Sequence, residues 1–126
     1  MIARAINHVS LPIADLDRAL RFYRDFLGLQ LLPRPEMGVA GAWLGVADAQ
    51  VHLIVTPPGM AVDTPPPSLN PAASHLAFTV DDYDATLARV REHALEVLET
   101  TSSNGQMWVR DPDGHVIELI SASARR

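Results

Sequence analysis

The chain has 126 residues, 48% of them hydrophobic, which supports one domain with a core and excludes a disordered chain. Its net charge of −5, with no basic stripe, argues against a nucleic-acid partner, and the absence of cysteine excludes disulfides, thiolate ligands and a thiol nucleophile. No apolar run reaches the roughly 18 residues of a membrane span, and the first ten residues lack a signal-peptide core, so a cytoplasmic protein with no membrane partner is expected.

Ala5–Leu11 reads as a strand with His8 and Ser10 on one face. Asp15 fits a helix N-cap; Leu16, Leu20, Tyr23 and Leu27 recur at helical spacing, and Gly28 ends the helix. Leu29–Leu32 is a strand candidate stopped by Pro33 and Pro35. Gly41–Val46 and Gln50–Val55 are strands around a turn at Ala47–Ala49; Trp43 fits either core or pocket wall. Thr56–Ala73 holds six of the ten prolines, so no regular ladder can run through it.

His75–Val80 is the next strand. Asp82 caps a helix whose buried side carries Tyr83, Leu87, Val90 and Ala94, with His93 off that side and solvated. Glu96–Thr100, Gln106–Arg110 and His115–Ser121 are strands. Pro112 and Gly114 suit a three-residue hairpin loop that sets Trp108 opposite Glu118. Trp108, Arg110, Val116, Glu118 and Ile120 then share a face, while Met107 turns into the core and His115 lies at the surface. Glu118 on such a face either has a partner or belongs to a surface strand in water. Arg110 is either a clamp for an anionic substrate or half of a surface ion pair. Arg125 and Arg126 read as a solvated tail.

The second half repeats the first. An offset of 67 residues lays His8 on His75, Asp15 on Asp82, Asp17 on Asp84 and Leu20 on Leu87. In the last strands the offset is 66, and His52 falls on Glu118. The pattern is βαβββ twice, an α+β protein. One domain over residues 1–126 is expected, with module one at about 1–56, a Pro-rich linker at 57–73 and module two at about 74–126, because either half alone is too small for a core.

His8, His52, His75 and Glu118 each sit mid-strand among apolar neighbours, two from first strands and two from last strands. A pseudo-twofold axis would gather them around one point. Imidazole and carboxylate donors suit one divalent ion, Zn, Ni, Co, Fe or Mn. Without an ion, an unpaired buried charge would cost several kcal/mol. Ser10, Gln50, Trp43, Trp108 and Arg110 are the substrate-pocket candidates.

The stretches NHVSLPIADLDRALRFYRDFLGL, SHLAF and DPDGHVIEL resemble the vicinal oxygen chelate superfamily, which includes glyoxalases, epimerases, extradiol dioxygenases, fosfomycin-type thiol transferases and bleomycin-binding proteins. The resemblance spans nearly the whole chain. It implies two tandem βαβββ modules forming a cup-shaped mixed sheet around one metal, often in a homodimer, with ligands at the positions of His8, His52, His75 and Glu118. It also implies an aromatic pocket wall at Trp108. A filled position at His52 favours the glyoxalase and epimerase branch, with proton transfer beside a carbonyl of a small oxygen-chelating substrate and Glu118 as both ligand and base. The transferases and dioxygenases generally use three ligands, and the bleomycin-binding relatives hold drugs without catalysis. Pro12 departs from the pattern: glutathione-dependent glyoxalases tend to carry an Arg there, which argues against a glutathione hemithioacetal.

Overall fold

A computed structural model describes residues 1–124; the Arg125–Arg126 tail lies outside the described residues. The chain divides into two compact units that meet in sequence between Thr64 and Pro65, inside the proline-rich stretch.

The first unit holds β1 (His8–Ile13), α1 (Leu16–Leu20), β2 (Gln30–Leu32), β3 (Gly41–Val46) and β4 (Ala49–Val55). Its sheet runs β1-β4-β3-β2, with β1 parallel to β4 and the other pairs antiparallel. β1 starts and ends later than expected and carries Pro12 within it. As an edge strand it tolerates a residue without an N–H.

Asp15 caps α1 by accepting from the Arg18 N–H at 2.9 Å. Beyond Leu20 the helix widens into a π-helical segment, Arg21–Phe26, in which the Leu27 N–H reaches back five residues to the Phe22 carbonyl. The wider turn broadens the buried face to Ala19, Leu20, Phe22 and Tyr23 and leaves Leu16 and Leu27 half-buried. Gly28, at φ +83°, then turns the chain toward β2.

The second unit holds β5 (His75–Val80), α2 (Tyr83–Glu92), β6 (Val97–Glu99), β7 (Gln106–Arg110) and β8 (Val116–Ser121). Its sheet, β5-β8-β7-β6, copies the first in order and direction. Asp82 caps α2 on the Ala85 N–H at 3.0 Å. Ala94 does not join the buried face. The helix ends two residues earlier, and Ala94 is exposed at φ +53° in the turn that leaves it. Tyr83 ties α2 to the sheet: its hydroxyl lies 2.8 Å from the Thr100 carbonyl and 3.0 Å from that of Gln106.

The tandem βαβββ order and the α+β class match the sequence expectation. No helix among the described residues is long and apolar enough to cross a membrane.

Candidate functional site

Strand register decides what each last strand can present. In the first unit, Ser10 pairs with His52 on β4, and Trp43 of β3 stands opposite His52 on the other side. Alternation therefore puts His8, Ser10, Gln50, His52 and Trp43 on one face of the sheet. Val51, Leu53, Ala42 and Leu44 face the core. In the second unit, Ala77 pairs with Glu118, and Trp108 stands opposite Glu118. In both units the first-strand histidine lies two residues before the partner of the last-strand polar residue, His52 or Glu118. The same step recurs as His8 before Ser10 and as His75 before Ala77.

The hairpin between β7 and β8 has the expected register. The Asp111 N–H donates to the His115 carbonyl at 2.9 Å, the Gly114 N–H to Asp111 at 3.0 Å, and Gly114 sits at φ +90°. His115 differs from expectation. It is only 9% exposed, because the Asp111 carboxylate accepts its N–H at 2.8 Å and folds the loop end inward. His93 is exposed, as expected.

His8 and His75 open their strands rather than lying mid-strand, and both are exposed. Their partners are more enclosed. The His8 and His52 rings stack with centroids 4.0 Å apart, and the Trp43 ring stacks on the other face of His52 at 4.6 Å. Trp43 is thus a wall of the histidine face rather than core. Strand pairing sets Trp43 opposite His52, as it sets Trp108 opposite Glu118. His52 bonds the Gln50 amide at 2.8 Å, and His8 bonds the Asn7 amide oxygen at 2.7 Å. Burial, followed by the charges of His8 and Arg34, lowers the pKa of His52 and favours its neutral, metal-binding form.

Glu118 is not in water. It is 7% exposed, and both carboxylate oxygens are engaged. Oε1 lies 2.9 Å from His75 Nε2, and Oε2 accepts from Gln106 Nε2 at 3.2 Å. His75 Nδ1 lies 2.8 Å from the Ala73 carbonyl, which can only accept. Nδ1 therefore carries a proton. The contact at Nε2 needs one more, on the imidazolium or on the carboxylic acid. A divalent cation can take the place of that shared proton. A ring fixed at Nδ1 by a backbone carbonyl is the usual support of a metal-binding Nε2. Within either unit, among the described residues, no third His, Asp or Glu joins the pair in a metal-sized group.

Arg110 fits the ion-pair reading in part. Its Nε faces Glu96 at 3.3 Å and its Nη1 donates to the Gly114 carbonyl at 3.0 Å, but Nη2 is buried without a partner. Trp108 Nε1 is buried and unpartnered as well. Both are on the Glu118 face. Sequence reasoning passed over Gln106 and Arg34. The strand alternation that marked Trp108 extends to Gln106, whereas Arg34 follows its strand and gave no periodic signal.

Residues 5–119 match the model of the Glyoxalase/Bleomycin resistance protein/Dioxygenase superfamily. The chain is 35% identical to a lactoylglutathione lyase of Haemophilus influenzae over 127 residues, covering 91% of this chain and 90% of that protein. The trypanothione-dependent glyoxalase I of Leishmania major has a similar structure, with a TM-score of 0.76 and 25% identity, over 94% of this chain and 87% of that one. So does TnmS3, an antibiotic binding protein from Streptomyces, with a TM-score of 0.72 and 30% identity, over 98% and 99%. With the family model covering most of its length and both units built as βαβββ, this chain belongs to the Glyoxalase/Bleomycin resistance protein/Dioxygenase superfamily.

Proposed function

We propose that the protein is a divalent-metal-dependent enzyme of glyoxalase or epimerase type, moving a proton at a carbon beside a carbonyl of a small oxygen-chelating substrate. The observation that carries the reading is the pair of buried or half-buried last-strand ligands, His52 and Glu118, set in the same register in each unit. The similarity to a lactoylglutathione lyase supports it.

His8, His52, His75 and Glu118 would hold the ion, two from each unit, within one chain or in a homodimer. The donor set fits Zn, Ni, Co, Fe or Mn. A bound ion supplies Lewis acidity to the substrate's oxygens. Glu118 would be the group that takes and returns the proton. Gln106 orients the carboxylate by donating to Oε2. Trp43 and Trp108 wall the two faces and limit water, and Ser10, Gln50 and Arg110 offer polar contacts to the substrate.

The test is metal analysis of the purified protein, joined to solvent-deuterium exchange into 2-oxo compounds. One ion per site is expected, and His52→Ala should lower both metal content and exchange. If that substitution leaves both unchanged, the four-ligand reading is abandoned. A second reading, a non-catalytic binder of a drug or metabolite, is favoured by the likeness to TnmS3. It requires tight ligand binding by protein that carries no metal and shows no exchange. Fosfomycin-type thiol transfer and extradiol dioxygenation remain the alternatives with three ligands. Thiol consumption with fosfomycin and oxygen uptake with catechols would register them.

A further inference from the structure

Beyond His52 and Glu118, the two units differ at a further matched position of this face. In the second unit, Gln106 pairs with Ile120 at the start of β7, and its side chain reaches Glu118. The corresponding pair in the first unit is Gly41 with Ile54. No side chain rises from Gly41, and the space above it is taken by the guanidinium of Arg34. A Cβ on Gly41 would lie 3.1 Å from Arg34 Nη2 and would collide with the Leu53 carbonyl. Because Gly41 and Trp43 alternate onto the same face, this guanidinium lies on the side of the sheet that carries Trp43 and His52.

Its other contacts show that Arg34 is held in place without being neutralised. Nη2 donates to the Val39 carbonyl at 2.9 Å, and Pro33 and Pro35 stiffen the backbone on both sides. No carboxylate among the described residues pairs with it: Glu36, two residues on, accepts instead from the Gly38 N–H at 2.9 Å. Nε is buried with no acceptor among the described residues, a desolvation cost that an ordinary surface arginine avoids. Among the described residues no hydrogen bond engages Nη1, and Nη1 is not one of the buried unpartnered atoms.

We propose that Arg34 is a specificity-determining residue that receives an anionic group, a carboxylate carried by the substrate in addition to its chelating oxygens. The inference deepens the proposed function and rests on it for the chelating part alone. A fixed, half-buried arginine with an open nitrogen and no acid partner is built for a planar oxyanion. The acidic net charge of the chain makes such a local cation a selective feature. Arg34 supplies a positive charge from β2's end of the sheet that carries His52.

Two probes of equal chain length test this: 2-oxoglutarate, with a distal carboxylate, and 2-oxovalerate, without one. Binding is followed by the Arg34 ¹⁵Nε–H resonance and by calorimetry, on metal-free and metal-loaded protein. The expected result is a shift of the Arg34 signal with 2-oxoglutarate only, and binding about tenfold tighter for it than for 2-oxovalerate, the fold-change of one charge-assisted contact. Arg34→Gln should remove the preference while leaving 2-oxovalerate affinity and metal content unchanged, and Arg34→Lys should restore part of it. The wild-type resonance needs no variant, so a poorly folded substitution does not block the test. Equal or absent binding of the two probes by wild-type protein, or loss of both together in a folded Arg34→Gln, would overturn the proposal. A preference that persists in protein unable to take up metal would sink the chelate reading and leave the clamp standing.

Discussion

The two units solve one problem in two ways. Each brings a first-strand histidine beside a polar residue of the last strand, His52 or Glu118, and each sets a tryptophan opposite that residue. In the first unit the pair is two imidazoles, which stack at 4.0 Å between Trp43 and solvent and leave both rings half-buried or exposed. In the second unit the last-strand residue is a carboxylate at 7% exposure, with an imidazole on one oxygen and an amide on the other. The contrast shows how the same backbone frame tolerates different chemistry. A neutral ring is content with stacking and one amide. An acid must be hydrogen-bonded on both oxygens before it can be enclosed.

That comparison can be broken most severely at Glu118. Glu118→Ala should lose metal and lower exchange activity by on the order of 10²–10⁴-fold, the range of a positioned general base, as read by metal analysis and deuterium exchange. A variant with full metal occupancy and wild-type exchange would show that the second unit's acid is no more than a structural partner of His75.

The support of the acid is the next point of attack. Gln106→Leu leaves Oε2 of Glu118 without its donor. Metal affinity should fall roughly 10–100-fold, the usual effect of removing an outer partner of a ligand, by competition with a chelator. Asn7→Ala and Gln50→Ala, which strip amides from the stacked histidines of the first unit, should have smaller effects. An equal loss from both units would erase the distinction between them.

Gly41→Ala probes the position at which the two faces diverge. The added methyl meets the Leu53 carbonyl and the Arg34 guanidinium, so stability should drop by about 1–3 kcal/mol in urea unfolding. Gln106→Ala, at the equivalent position, introduces no such collision.

The smallest effect concerns pH. His52 has a lowered pKa in the folded protein, first because burial disfavours its charged form. As pH falls past about 6.5, the unfolded chain takes up a proton that the folded chain still refuses. Stability from this group is therefore complete above that value and is lost as pH drops toward the folded pKa. Urea midpoints between pH 8 and pH 5 should show a shallower decline for His52→Gln than for the wild type.

Much of the frame was legible in the chain itself. The twofold recurrence of His, Asp and Leu at an offset of 67, the two aspartate caps and the Pro-Asp-Gly loop are local signals, and each maps onto an observed element. The register of Trp108 on Glu118 followed from loop length alone. Errors fell at element ends and at one helix. Ala94 lies past the point where α2 turns, and the spacing that named Leu16 and Leu27 could not foresee a π-helical turn burying Phe22 beside Tyr23. Such a turn depends on how the helix packs against its unit.

What the sequence by itself determined is therefore the order of elements and which residues alternate onto one face, because covalent geometry fixes the period of a strand and the turn fixes its register. Only the tertiary structure decided which of those residues are enclosed and what they touch. Trp43 joined the histidine face because strand pairing set it opposite His52. His115 went inward because Asp111 claimed its N–H. Arg34 came to rest over Gly41 because a neighbouring strand left room there. Each of these contacts depends on which side chains meet once strands and loops have paired, and the alternation along a single strand does not encode that.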